Sequence, residues 1–199
     1  MIERKLLDSG IKAIAGVDEA GRGACAGPLV IAALILKNPN DPSLRQVKDS
    51  KRLSSIQREN LYELILDQVS AHAIIEISPE EIDTRGVHKS NIEGMRRAVN
   101  ALGVTPDYVL TDGYEIPGIP YPNLAVWKGD QVALTISAAS IIAKVYRDSL
   151  MVELDRKYPG YGLAEHKGYV TKIHSGAMKK LGITPIHRKS YANVAKLVK

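Results

Sequence analysis

An aspartate and a glutamate stand side by side at positions 18 and 19, closing an apolar run and opening the glycine-rich stretch Gly21-Arg22-Gly23. Two more aspartates, Asp112 and Asp130, stand at or just past the ends of the apolar runs 108–111 and 124–127. In open α/β sheets active sites gather at strand ends, so carboxylates from distant segments can converge there. Converged carboxylates repel one another and lose hydration, and a cation relieves both costs. All-oxygen donors select a hard ion, Mg²⁺ or Mn²⁺. Neighbours on an extended segment point to opposite sides. The turn at Gly21 and Gly23 is therefore expected to bring Asp18 and Glu19 to one site.

The elements that position these residues follow from hydrophobic patterning. Residues 12–18 and 29–36 are continuously apolar, as strands covered on both faces are, and a glycine-rich loop from Gly21 to Pro28 joins them. Ser54 or Ser55 is placed to cap a helix reaching about Val69. Strands are expected at 73–77, 108–112 and 124–127, with a turn-rich loop from Gly113 to Pro122. Asn91 is placed to cap a helix ended by Gly103. Helices are also expected over 137–157, 171–181 and 190–198. The resulting order is that of an α/β domain with a mixed sheet, and the whole chain is read as a single catalytic domain.

Charge is distributed unevenly. Residues 156–199 hold ten Lys or Arg and one acid, Glu165, whereas residues 1–155 hold seventeen basic and twenty-one acidic residues. A basic helical C-terminal subregion on a mildly acidic body points to a polyanionic partner. The longest apolar run, Pro28–Leu36, is too short to span a bilayer, so no membrane is expected. Residues 1–7 lack the apolar core of a signal peptide, and a cytoplasmic protein is expected. Cys25 is the only cysteine, which excludes an intrachain disulfide and a thiolate zinc cluster. The histidines form no H-x-x-x-H pair, which speaks against a zinc hydrolase. His72 and His174 are read as structural or surface residues.

The run Gly16-Val17-Asp18-Glu19-Ala20-Gly21-Arg22-Gly23, followed by Gly27-Pro28, resembles the opening motif of the ribonuclease HII family. Four later segments agree in order: Asp49–Leu53; Thr111-Asp112-Gly113; Lys128-Gly129-Asp130 with Ser137–Asp148 behind it; and His166-Lys167-Gly168-Tyr169 with Pro185–Arg188. Small departures are Ala24-Cys25-Ala26, Arg52 and Val170, none of which removes an expected ligand. The resemblance implies a ribonuclease H-like mixed β-sheet flanked by helices, with a small C-terminal helical region. It implies Asp18, Glu19, Asp112 and Asp130 as catalytic metal ligands. The substrates implied are RNA/DNA hybrids and duplex DNA containing ribonucleotides, cut 5′ to the ribonucleotide to leave 3′-hydroxyl and 5′-phosphate ends. A monomer is the family's default.

We expect Asp18 to bridge two ions, Glu19 and Asp112 to hold one, and Asp130 the other. Gly21, Arg22 and Gly23 suit the recognition of a 2′-hydroxyl, because glycines let backbone groups approach a sugar closely. By resemblance, Tyr169 sets its ring against the deoxyribose after the ribonucleotide. Arg22, Lys51, Lys144, Lys167 and Arg188 are candidate phosphate contacts, and Ser137 and Ser140 either donate to phosphate or cap the long helix. Two other readings fit part of the pattern. A different metal-dependent nuclease or integrase would share the strand-end carboxylates, and a non-catalytic nucleic-acid-binding module would share the basic end.

Overall fold

Eight consecutive apolar residues, Leu29–Leu36, need cover on both sides, and all eight are buried. The computed structural model describes residues 2–52 and 54–198, with the side chains at 48–52 and 55 outside the description. Along the chain run α1 (Ile2–Asp8), β1 (Ile14–Ala20), β2 (Leu29–Leu36), a 3₁₀ segment (Pro42–Arg52), α2 (Ser55–Gln68), β3 (Val69–Ile77), α3 (Pro79–Arg85) and α4 (Val87–Asn100). They are followed by β4 (Tyr108–Asp112), β5 (Asn123–Val126), α5 (Gly129–Val132), α6 (Leu134–Lys157), α7 (Leu163–His166), α8 (Lys172–Leu181) and α9 (Ala192–Ala195).

The sheet order is β3-β2-β1-β4-β5. β1 pairs antiparallel with β2, and β2 antiparallel with β3, while β1–β4 and β4–β5 are parallel. This is the mixed sheet expected from the strand order. Side-chain alternation splits β2 between two cores. Leu29, Ile31 and Ala33 meet Met95, Ala98 and Val99 of α4 on one face. Val30, Ala32 and Leu34 meet Leu61 and Ile65 of α2 and Ala138, Ile141 and Ile142 of α6 on the other. Burying one such aliphatic side chain contributes about 1.5–3 kcal/mol before entropy is counted, so the two-faced run is a principal source of cohesion.

Three expected caps and boundaries differ. Ser54 does cap α2, with its hydroxyl accepting from Gln57 N–H at 3.3 Å in a capping box. Asn91 is not a cap: α4 starts at Val87 after Gly86, and Asn91 is buried within it. α6 starts at Leu134 rather than 137. Its first turn is tied by Glu3 of α1, a helix absent from the sequence reading, whose Oε1 accepts from Thr135 N–H at 2.9 Å. The expected terminal helix is limited to Ala192–Ala195.

α6 crosses β1 so closely at Gly16 that a Cβ there would lie 2.2 Å from the Thr135 carbonyl carbon. Backbone on both sides leaves nothing to yield. Gly16→Ala is therefore expected to lower unfolding free energy by about 1–3 kcal/mol, the usual cost of overpacking. Gly176→Ala in α8, where nothing lies within 4 Å, is expected to raise it by up to about 1 kcal/mol. Urea denaturation of the two variants checks the opposite signs.

Candidate active site

Val17 of β1 lies beside Thr111 of β4 in parallel register. The next residues are Asp18 and Asp112, so the two aspartates come together at the same end of neighbouring strands. Asp112 Oδ1 accepts from Gly129 N–H at 2.7 Å, which fixes the turn entering α5. Asp130 follows directly, buried in the first turn of α5 just past the end of β5. Lys128 makes this possible by adopting a left-handed conformation, φ 52°, that breaks the direction of β5.

Asp18 and Glu19 do not turn to one side. β1 remains paired with β2 as far as Ala20 opposite Val30, so strand alternation persists through both acids. Asp18 meets Ser140 of α6, while Glu19 meets Asn91 of α4 and Arg22. Strand pairing outlasts the glycine turn, so the pair keeps its alternation, yet both acids lie within electrostatic reach of Asp112. Asp112 is the group that feels both acids.

Burial holds Asp18 well above the usual carboxylate range, with Glu19 and Asp112 adding repulsion. The Glu19 N–H, 2.7 Å from Asp18 Oδ1, and the Ser140 hydroxyl oppose the rise. Burial also pushes Glu19 up, against the Asn91 amide and Arg22, whose Nη1 lies 3.6 Å from Glu19 Oε1. Glu19 Oε2 is buried without a hydrogen bond. Among the described residues no three acidic, histidine or cysteine side chains stand close enough together to hold one ion. Asp18, Glu19 and Asp112 are thus gathered electrostatically without being closed into a ligand cage.

The glycine-rich loop is shaped by two arginines. Arg147 of α6 is 1% exposed, and its Nε, Nη1 and Nη2 donate to the carbonyls of Pro28, Lys167 and Ala26 at 2.9, 2.9 and 3.1 Å. Arg188, 0% exposed, donates from Nε and Nη2 to the Gly27 carbonyl and from Nη1 to the Arg22 carbonyl at 3.1 Å. Gly21 has φ 90°, and a Cβ there would lie 1.9 Å from Arg147 Nε, so both conformation and contact require glycine. Burial, then Arg188, push Arg147 down to about 10, which leaves it charged at neutral pH.

Between loop and helices opens a cleft of about 360 Å³, lined by Glu19, Gly21, Arg22, Gly23, Ser140 and Tyr169, with Lys144 and Arg58 at it as well. Tyr169 is 40% exposed there. Several expected contacts are thus brought together, while two are corrected. Ser137 is fully buried, and its hydroxyl donates to the Val47 carbonyl at 2.6 Å, so it neither caps α6 nor meets phosphate. Arg188 is fully buried and directs its donors to the loop carbonyls and the Tyr191 hydroxyl, away from any phosphate. Lys144 lines the cleft paired with Asp148 at 2.7 Å. Lys167 sits at the neighbouring hollow with Arg58 and Asp148. The Lys51 side chain lies outside the described residues.

Arg147, Arg58 and Asn91 were missed as site residues. Arg147 left a trace in the sequence: it occupies the stripe of Ala139, Ala143 and Met151 at four-residue spacing, where a charge needs a buried partner.

The ribonuclease HII family model matches residues 15–194. The chain belongs to the ribonuclease HII family. A curated relative, the ribonuclease HII of Corynebacterium jeikeium (strain K411), is 54% identical over 195 residues, covering 98% of this chain and 94% of that one. The ribonuclease H2 of Pyrococcus horikoshii OT3 superposes with a TM-score of 0.80 at 32% identity, covering 92% of this chain and 96% of the other. Bst-RNase HIII in complex with Mn²⁺ shares the fold, with a TM-score of 0.71 at 19% identity over 93% of this chain and 68% of that one. This ribonuclease HII family member is accordingly a nuclease of ribonuclease H type, acting on RNA/DNA hybrids, on the mixed sheet expected for that fold.

Two expectations follow from the site. An acid whose pKa is raised on folding destabilises the fold above the ordinary aspartate range and ceases to do so as pH falls. In chelator, Asp18→Asn is therefore expected to melt higher than the parent chain at pH 8, by about 2–4 °C per kcal/mol relieved at this size. The gap should close as pH falls to about 3, below the ordinary aspartate value, where the parent acid is mostly protonated in both states. Arg188→Lys should reduce stability without changing how hybrid binding depends on salt, whereas loss of a phosphate contact would lower the log–log slope by about 1. Calorimetry and salt titration check both.

Proposed function

We propose that this enzyme cuts duplex DNA on the 5′ side of an embedded ribonucleotide, as well as cutting RNA/DNA hybrids, and leaves 3′-hydroxyl and 5′-phosphate ends. The observation that carries this is the sharing of one cleft by Glu19, the Gly21-Arg22-Gly23 loop and Tyr169. A sugar-reading loop beside the acids favours a choice of cleavage point by ribose rather than by base sequence. The 2′-hydroxyl is the local feature that separates RNA from DNA.

The acids fit a divalent ion. Glu19 Oε2 lacks a hydrogen bond although buried, and Asp18 and Glu19 are pushed toward protonation by burial and mutual repulsion. Asp18, Glu19, Asp112 and Asp130 would hold Mg²⁺ or Mn²⁺, a reading supported by the all-oxygen donor set and by the Mn²⁺ complex of the Bst enzyme. Such ions supply an activated water and neutralise charge developing on phosphate. The chain's own residues do the rest. Ser140 and the Glu19 N–H hold Asp18 in a defined rotamer. Arg22 is set between Glu19 and the Tyr114 ring, 4.8 Å from its centroid, where its charge attracts the phosphate backbone that the acids repel. Tyr169 offers an apolar ring to the deoxyribose 3′ of the ribonucleotide. Lys144, Lys167 and Arg58 draw the duplex in.

A duplex carrying one ribonucleotide tests the reading. A single cut 5′ to it in Mg²⁺ or Mn²⁺, abolished by chelator, is expected. Asp18→Asn should lose at least about a hundred-fold in turnover, in the range of a lost electrostatic stabiliser. Tyr169→Ala should depress cleavage of the single-ribonucleotide duplex far more than Tyr161→Ala, whose hydroxyl donates to the Gly182 carbonyl away from the cleft. Equal effects, or cuts scattered through DNA, would refute it.

A further inference from the structure

Behind Tyr169 lies a hydrogen-bonded chain of histidines that the cleavage chemistry does not use. The Thr184 N–H lies 2.9 Å from His187 Nδ1. A backbone N–H can only donate, so Nδ1 is the acceptor and the neutral ring carries its proton on Nε2. His187 Nε2 lies 3.2 Å from His174 Nε2, which must then accept. His174 is left with its proton on Nδ1, 3.0 Å from the Tyr169 carbonyl, an obligate acceptor. Both ends of the chain thus demand the same assignment: Thr184 N–H to His187, His187 to His174, His174 to Tyr169. His166 stacks on His174 with ring centroids 4.4 Å apart. It is fixed in its turn, accepting from Gly168 N–H and donating to the Tyr161 carbonyl. His174 and His187 are 0% and 1% exposed.

We propose that His187 and His174 are positioning residues for the Tyr169 ring, and that this relay tunes the enzyme's preference for an RNA-to-DNA step over continuous RNA. The inference rests on the reading of Tyr169 given above. The adjacent carbonyls are held from elsewhere: Lys167 by Arg147, and Gly168 by the N–H groups of Cys25 and Ala26. Gly168 also takes the Cys25 thiol of the same loop at 3.5 Å; among the described residues, the Tyr169 carbonyl is the one of these three bonded to a side chain from neither the loop nor its two arginines, so the relay sets the peptide from which the ring departs. Burial, then His174, push His187 down to about 4, and burial lowers His174, which keeps both rings neutral near pH 7. In a neutral state each ring has one donor and one acceptor, so the direction of the relay is maintained.

Two measurements test it. In the unaltered protein, imidazole ¹⁵N shifts should show His187 protonated on Nε2 and His174 on Nδ1. A His174 protonated on Nε2 would overturn the relay without any variant. The second measurement is the ratio of kcat/KM on a single-ribonucleotide duplex to that on a continuous RNA/DNA hybrid. His187→Gln retains a donor at the Nε2 position, whereas His187→Asn reaches only the Thr184 end. The Asn variant should lower the ratio by about ten-fold, as expected for one lost buried hydrogen bond, and the Gln variant should largely keep it. In a Tyr169→Ala background His187→Asn should add nothing, since the two act as one unit. Additive losses, or equal ratios for Asn and Gln, would overturn the relay while leaving the Tyr169 reading intact. A Tyr169→Ala ratio equal to that of the parent chain would overturn both.

Discussion

Two buried guanidinium groups hold the working parts of this molecule together. Arg147 and Arg188 arise from α6 and from the segment after α8, and converge on the same stretch, residues 22–28. That stretch belongs to no strand or helix of the described residues; an isolated bridge between Ala26 and His187 and the bonds of Cys25 and Ala26 N–H to the Gly168 carbonyl are its backbone pairing to other segments. Without the guanidinium groups the carbonyls of Ala26, Gly27 and Pro28 would lose their side-chain hydrogen bonds, each at a cost comparable to a lost bond. The arginines meet that need, and the carbonyl dipoles in turn make tolerable two like charges that would otherwise be expelled from the interior. Neither half is stable without the other, which explains why the glycines at 21 and 27 have no room for a Cβ: it would meet Arg147 at the first and Met151 at the second.

The clamp has consequences on both sides of the cleft. By taking the carbonyls of Arg22 and Gly27, Arg188 anchors the backbone from which the Arg22 side chain reaches Glu19 and Tyr114. By taking the Lys167 carbonyl, Arg147 ties the segment bearing Tyr169 to the same loop, and its guanidinium lies 5.8 Å from the Tyr169 ring centroid. Loop and tyrosine segment are thus tied to the same guanidinium group, and the loop reaches the acids through the Arg22–Glu19 pair. The acids remain under tension. Burial and repulsion favour their protonated forms, while backbone N–H, Ser140, Asn91 and Arg22 favour the charged forms. A site balanced in this way gains when a cation enters, because the cation removes the dominant unfavourable contributions together.

How much of this was legible without coordinates differs by element. The two-faced burial of Leu29–Leu36 and the strand–loop–strand opening followed from apolar continuity alone. The parallel register of β1 and β4 did not: it brings Asp18 and Asp112 together although 94 residues separate them, and no local pattern reports on pairing at that distance. Asn91 read as a helix cap because asparagine prefers that position, but Gly86 already turns the chain and the helix begins four residues earlier. Ser137 and Arg188 read as phosphate contacts because their side chains suit phosphate. The structure gives them backbone carbonyls instead.

What the sequence by itself determined is the inventory: the acid pair at a strand end, the glycines beside it, the basic C-terminal quarter, and the ordered motifs that mark the ribonuclease HII family. Apolar periodicity and residue type are local properties, and these conclusions need nothing more. Only the tertiary structure decided which polar side chains face the cleft and which are turned inward. Arg147 and Arg22 are equally charged, yet one is sealed in the interior and the other lies at the cleft. The difference comes from carbonyls supplied by segments more than a hundred residues away, at Ala26 and Pro28, and solvation by such groups is a property of packing, not of sequence position.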